Sequence, residues 1–265
     1  MVLTDRLKLT SLPKEHSEDG NARSTPNVLR AEWYDLPADC SQDFITWLHD
    51  IYLPQLITQQ GVIWTGHYRI KEKTDLTPVS GGLRRIETDD PDVPKGSQYL
   101  LVTAGETSDL FLGLDTPVVA QENVAAERLA VRQGYRQAIF IEEMRVDGLD
   151  ANGDWTVSAP PAIQLGNFNV KNPDDEFELA RFYRLVRLPE VAMTLGSIGA
   201  RKLVSLAGWP KHGILYAFSS IDPGEQVFEA RMLANRKPSP VKLRPVLEYV
   251  VHAPNAPHAG SRIWP

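Results

Sequence analysis

The sequence predicts an α+β chain in which two βαββαβ lobes follow one another and close face to face into a single barrel. Three observations carry this. An eight-residue pattern recurs: Trp47-Leu48-His49-Asp50-Ile51-Tyr52-Leu53-Pro54 returns as Phe182-Tyr183-Arg184-Leu185-Val186-Arg187-Leu188-Pro189. The offset of 135 positions also carries Gly61 onto Gly196, and Phe44 and Ile51 onto Leu179 and Val186. A unit this long lies outside the roughly 20–50-residue period of solenoid modules, so it reads as a duplicated small domain. Strand-like and helix-like stretches then alternate in one order in both halves. A sheet with helices on one face only leaves the other bare, and two such faces bury each other.

Residues 28–36 are β-rich, and Pro37 to Ser41 supplies turn and helix-start chemistry. Phe44, Trp47, Leu48 and Ile51 fall at i, i+3, i+4 and i+7, the stripe of a buried helix face, and Gly61 ends it. Val62, Trp64, Tyr68 and Ile70 alternate with polar neighbours, which predicts a strand over 62–71; 98–104 is another. An alanine-rich helix over 123–133 and a strand over 137–146 complete the split-βαβ order of a ferredoxin-like lobe. The second lobe repeats it: strand 163–170, helix 174–195, strands 198–206 and 213–219, helix 224–233, strand 245–252. The expected organisation is a disordered arm over 1–27, lobe one over 28–147 with a long insertion at 73–96, a linker over 148–161, and lobe two over 162–265 with an irregular tail. The insertion is too long for a hairpin loop, and reads equally as a lid or as solvated chain. The linker's Asp147 to Asp154 run lacks the ligand spacing of a calcium loop and reads as a turn.

With 265 residues, 42% apolar and 23% charged, the chain has the composition of a soluble protein with a full core. A net charge of −6 without a Lys/Arg cluster speaks against nucleic-acid or anionic-membrane partners. Cys40 is the single cysteine, which precludes an intrachain disulfide and fits a reducing compartment. It precedes a helix, where a thiolate could be stabilised, but the preferred reading is a plain helix-entry residue without chemistry. The first twelve residues lack the apolar core of a signal peptide, so a cytoplasmic location is expected. There is no G-x-G-x-x-G after a strand, no P-loop, no G-x-S-x-G and no H-E-x-x-H, so no nucleotide, flavin or metal cofactor is expected.

The repeated helix motif resembles the W-Y-x-x-x-H-[LIV]-P signature of the EthD-like dimeric α/β-barrel proteins, over about residues 28–252. The resemblance implies a small-molecule enzyme working without a cofactor on an aromatic or polyketide-like carbonyl or carboxylate compound. Decarboxylation, cyclisation, isomerisation and oxygenation all occur among such proteins, and other branches bind haem. A non-catalytic binding or stress-response barrel is the third option, because the family's histidine slot holds Tyr52 in one copy and Arg187 in the other.

The slot can also be read from its residues. Phe44, Leu48 and Tyr52 are spaced by four, as are Leu179, Tyr183 and Arg187, so Tyr52 and Arg187 continue inward rows. A guanidinium aimed inward needs a carboxylate or an anionic ligand. Pro54 and Pro189 remove a backbone donor, which predicts a kink beside each slot. The expected catalytic residues are Tyr52, His49, His67 and Arg187. Trp47, Trp64, Tyr68, Phe182, Tyr183, Arg184 and Glu142 are expected to bind a small hydrophobic or aromatic ligand. Tyr68 is expected under the helices with Tyr52, and His67 at the seam between the sheets. Structural roles compete throughout: an inward arginine paired with Glu142 or its neighbour Glu143, a satisfied core tyrosine, a satisfied core histidine. Pairing of two such chains into a homodimer is compatible with this fold.

Overall fold

The computed structural model describes residues 25–72, 85–113, 115–220 and 243–265. The expected helix at 224–233, the N-terminal arm to residue 24 and the 73–84 part of the insertion lie outside those residues.

The strands are β1 (Val28–Asp35), β2 (Val62–Ile70), β3 (Tyr99–Gly105), β4 (Gln133–Asp147), β5 (Ala162–Val170), β6 (Ser197–Gly208), β7 (His212–Phe218), β8 (Val250–His252) and β9 (His258–Trp264). They pair in the order β7-β6-β4-β1-β3-β2-β9-β5-β8, and β5 also pairs with β7. The ring therefore closes into an eight-stranded antiparallel barrel, with β8 extending the β9 side of β5. Closure leaves the ring no free edge. In the first half the order is β4-β1-β3-β2; in the second it is β6-β7-β5 followed by β8 and β9. Each half thus sets its last strand beside its first, and β4–β6 and β2–β9 join the halves.

The helices pack outside. Between β1 and β2 run α1 (Ser41–Trp47), a π-turn (Leu48–Tyr52) and α2 (Leu53–Ile57). Between β3 and β4 lie α3 (Asp109–Leu112), α4 (Pro117–Val124) and α5 (Ala126–Leu129). Between β5 and β6 run α6 (Asp175–Phe182), a second π-turn (Tyr183–Arg187) and α7 (Leu188–Ala192). The two π-turns are 135 positions apart at both ends. Each resolves the problem its proline creates. Pro54 and Pro189 cannot donate to the carbonyl four residues back, so Leu53 and Leu188 donate five back, to Leu48 and Tyr183. The proline then falls in the first turn of the resuming helix, where a missing N–H costs nothing. The kink predicted at each slot is this widened turn.

Strand alternation sorts the core into three parts. Leu29, Ala31, Trp33, Trp64, Tyr68, Leu100, Val102, Phe140, Ile163, Leu165, Leu203 and Leu215 fill the barrel. Tyr34, Phe44, Leu48, Tyr52, Tyr99 and Leu101 fill the layer between the first-half helices and the sheet. Phe168, Leu179, Tyr183, Val191, Ile214 and Tyr216 fill the corresponding second-half layer.

Two expected elements fall elsewhere. The helix expected at 123–133 comes earlier and is split into α4 and α5, because the Thr116 hydroxyl caps Val119 N at 3.3 Å and Pro117 starts the turn. β4 has already begun at Gln133. The supposedly irregular tail supplies β9, which bridges β2 and β5. The strand expected at 245–252 is a 3₁₀ turn (Val246–Glu248) followed by the short β8. In the linker, the carbonyls of Thr156, Ala159, Pro160 and Pro161 accept from Trp64, Arg262, Tyr68 and the Arg262 backbone N–H, so this segment covers one mouth of the barrel. Among the described residues no helix is long and apolar enough to cross a membrane.

Candidate functional site

The first-half layer holds a chain of three hydrogen-bonding side chains. His67 projects from β2 toward the helices, 0% exposed, and packs against both Tyr34 and Tyr99 at 5.9 and 5.3 Å, the two tyrosines themselves lying 5.5 Å apart. Its Nε2 lies 2.8 Å from the Tyr34 hydroxyl and its Nδ1 lies 2.7 Å from His49 Nε2. His49 stands on the π-turn, half-buried, with its carbonyl held by the Trp264 indole N–H at 2.9 Å. The widened turn is what brings a helix side chain this close to the strand. Burial, then His49 and Arg69, hold His67 well below the usual histidine range. Burial lowers His49 as well, against the pull of Asp50. Burial likewise raises the Tyr34 phenol well above its ordinary value. All three are neutral near pH 7, each sharing a proton with the next. A proton gained by His49 can be shared with His67 across their contact.

Beside this chain lies a buried ion network. β1 carries Arg30 and Glu32 on the same face as Tyr34, 2% and 3% exposed. Arg30 Nε lies 3.3 Å from Glu32 Oε2, and Arg30 also pairs with Glu122 of α4. Glu32 Oε1 accepts from Arg132 at 2.9 Å and from the Tyr135 hydroxyl at 3.0 Å. Burial would raise Glu32, but Arg30 and Arg132 outweigh it and hold the carboxyl below its ordinary value. At Glu122 burial prevails over Arg30 and the carboxyl is raised. Tyr52 lies over this network: burial, then Glu32 and Glu122, push its phenol up. Its backbone carbonyl, in the widened turn, accepts from Gln121 Nε2 at 2.9 Å.

The expected site residues are distributed over five places. His49, His67, Tyr52 and Trp47 share the first layer, where Trp47 packs on Tyr52 at 5.3 Å under Arg128. Arg187, Phe182 and Tyr183 belong to the second layer, where Arg187 Nε donates to the Tyr216 hydroxyl at 2.7 Å. Arg187 therefore does not face the histidines. Glu142 accepts from the buried Arg201 at 2.6 Å, the structural pairing weighed above. Arg184 is exposed on the second π-turn.

Trp64 and Tyr68 occupy the barrel, not the helix layer, and His67 faces the helices, not the seam. Alternation alone puts Trp64 and Tyr68 together and His67 opposite, without saying which face is which. The barrel mouth decides it, because the carbonyls of Thr156 and Pro160 accept from the two rings at 2.8 and 3.0 Å. This placement also tests haem ligation. A haem ligand needs one free imidazole nitrogen, and His67 has one engaged by the Tyr34 hydroxyl and the other by His49, so His67 does not fit the group.

Tyr34, Arg30, Glu32, Glu122, Arg132 and Tyr135 were not among the expected site residues. The available signal was the pair of charges at Arg30 and Glu32 in an otherwise apolar strand.

No protein-family model and no curated protein sequence matches the chain. Among solved structures it is similar to a candidate monooxygenase from Lactobacillus acidophilus, with a TM-score of 0.43 and 8% identity over 74% of this chain and 78% of that one. A candidate monooxygenase from Fusobacterium nucleatum gives 0.45 and 11% over 75% and 78%. An anthrone oxidase-like protein gives 0.46 and 9% over 91% and 92%.

Proposed function

We propose that the chain is a small-molecule enzyme that moves a proton at an activated carbon of an aromatic or polyketide-like carbonyl compound, without a metal or nucleotide cofactor. The observation that carries this is the Tyr34–His67–His49 chain, which runs from a buried phenol to a half-buried imidazole. His49 takes the proton from a carbon acid resting against Trp264, whose ring lies 6.4 Å from the imidazole. With its Nε2–H donated to His67, His49 takes that proton on Nδ1, and the charge is shared across the 2.7 Å contact with His67, whose own Nε2–H the neutral Tyr34 hydroxyl accepts. Enolate formation is the step that decarboxylation, isomerisation, cyclisation and cofactor-free oxygenation share.

The same reading assigns the chain to the EthD-like barrels as two tandem ferredoxin-like lobes in the cytoplasm. The matched π-turns and the last-beside-first strand order of each half support the duplication. It places the working site in the first half, where the titratable groups are, and not at Arg187.

The test is deuterium uptake from D₂O into the acidic carbon of a panel of phenolic 1,3-diketones, followed by proton NMR. Uptake by the wild type that is lost in His49→Ala supports the reading; equal rates in both overturn it.

A second reading has its own observation. Tyr34, His67 and Tyr52 are 0%, 0% and 3% exposed, so side chains fill the layer. A non-catalytic protein would show this, together with no deuterium uptake on any of the panel and a large loss of stability in His67→Ala.

A further inference from the structure

Position 202 stands to the second layer as position 67 stands to the first, one offset of 135 away. A lysine occupies it, 1% exposed. Its Nζ lies 3.1 Å from Glu143 Oε2, 3.0 Å from the Leu203 carbonyl oxygen and 3.0 Å from His212 Nδ1. His212 in turn places Nε2 2.8 Å from Glu176 Oε2, and the Tyr183 ring centre is 5.5 Å from the Lys202 nitrogen. Glu143 also lines a surface cleft of about 460 Å³, with Met144, Phe177, Arg181, Arg184 and Leu185. The carboxylate that holds the buried amine is thus also part of the cleft wall.

We propose that Lys202 is the amine nucleophile of a second site, which takes a small aromatic aldehyde or ketone bearing a carboxylate through this cleft. Phe177, Leu185 and Met144 offer the apolar surface for a ring, and Arg181 and Arg184 the countercharge for a carboxylate. A desolvated lysine is the form of this side chain that attacks carbonyls. Burial lowers Lys202 from its ordinary value, with Glu143 opposing. Burial, followed by Lys202 itself, lowers His212 to about 4, so its imidazole is neutral and Nδ1 can accept from the amine while Nε2–H faces Glu176. His212 and Glu176 are positioning residues.

The step balances without a redox partner. Glu143 takes one proton from the ammonium, and the nitrogen lone pair of the free amine adds to the carbonyl carbon. The carbonyl oxygen takes a proton from that nitrogen to give a carbinolamine. Glu143 returns its proton to the hydroxyl, which leaves as water while the C=N bond forms. The products are a protonated imine and water.

The probe is 4-carboxybenzaldehyde with cyanoborohydride, on the full chain at neutral pH, with labelled lysines located by peptide mass mapping. Lys202 is expected to label about tenfold faster than the exposed Lys95, despite its burial. Labelling of Lys202 no faster than Lys95 overturns the proposal. Arg184→Ala, at an exposed position of the second π-turn, is expected to slow labelling at Lys202 and leave Lys95 unchanged. An unchanged rate at Lys202 overturns the cleft and the carboxylate class. His49→Ala should leave this labelling intact, so the outcome is independent of proton transfer in the first half.

Discussion

His49 Nε2 and His67 Nδ1 are 2.7 Å apart, a distance at which a single proton lies between them. Two imidazolium rings cannot face each other that way, because both nitrogens would then be donors. The contact therefore excludes the doubly charged pair, and the burial of His67 and the nearby Arg69 favour the neutral one. The π-turn gives the contact its geometry, and Pro54 gives the π-turn its cause. A backbone defect in the sequence is thereby linked to the protonation state of a buried ring.

That linkage has a pH signature. The folded-state values of His67 and His49 are lowered, so the unfolded chain binds more protons once pH falls below the ordinary histidine value of about 6.5. Stability is then unaffected above that value and declines as pH drops from it toward the folded-state value. Each fully linked proton contributes a slope of about 1.4 kcal/mol per pH unit. Urea denaturation midpoints across this window should show the decline, and His67→Phe should flatten it by about one proton. His212 contributes with the same sign and persists in the variant. An identical slope in both proteins would contradict the neutral assignment.

Glu32 is the centre of the buried ion network: Arg132 and Tyr135 donate to it, and Arg30 lies against it. Glu32→Gln leaves the size of the side chain but removes the charge that two buried guanidiniums need. Breaking a buried pair on one side costs roughly 3–5 kcal/mol; Glu122 still faces Arg30, but Arg132 loses the carboxylate it donates to. Glu32→Leu combined with Arg30→Met should cost less than the sum of the single changes, since the orphaned charge disappears with its partner. Denaturant unfolding of the four proteins measures the coupling, and strict additivity would rule it out.

How much of this was legible in the sequence differs from residue to residue. The row Phe44, Leu48, Tyr52 points inward as its spacing requires, and the prolines deform the helices where their chemistry demands. These are local effects, and periodicity reports local effects well. Arg30 and Glu32 find their partners 92 and 100 positions away, beyond any spacing rule. His67 and Tyr68 fell on faces opposite to those expected because alternation fixes parity and not direction. What set the direction was a pair of linker carbonyls. The Arg187–Tyr216 contact was half visible: its inward aim followed from the helix row, but its partner lies on β7.

Gln121 supplies a test of the widened turn itself. The Tyr52 carbonyl accepts from the Gln121 side chain at 2.9 Å. Gln121→Leu keeps similar bulk and deprives the carbonyl of that donor. The expected loss is about 1 kcal/mol, the ordinary net worth of one such bond. It should come with faster amide exchange confined to residues 48–57. Exchange spread evenly over the chain would mean that the side chain supports the fold generally and not the turn.

The last strand makes the sharpest prediction about architecture. β9 hydrogen-bonds to β2 on one side and to β5 on the other, so among the described residues it forms one of the two strand ladders that join the halves. Removing residues 258–265 strips both partners of their ladder at once and uncovers Tyr68, Leu165 and Ile163 in the barrel. Unpaired buried backbone groups and a lost wall of the core act together, and neither half can close without the other. The truncated chain should lose its cooperative thermal transition and its near-ultraviolet circular dichroism. Ser261→Ala should leave both intact, because the strand contributes there through its backbone pairing with Arg69 and Ala162. A truncated chain that melts cooperatively would show that β9 decorates the barrel rather than closing it.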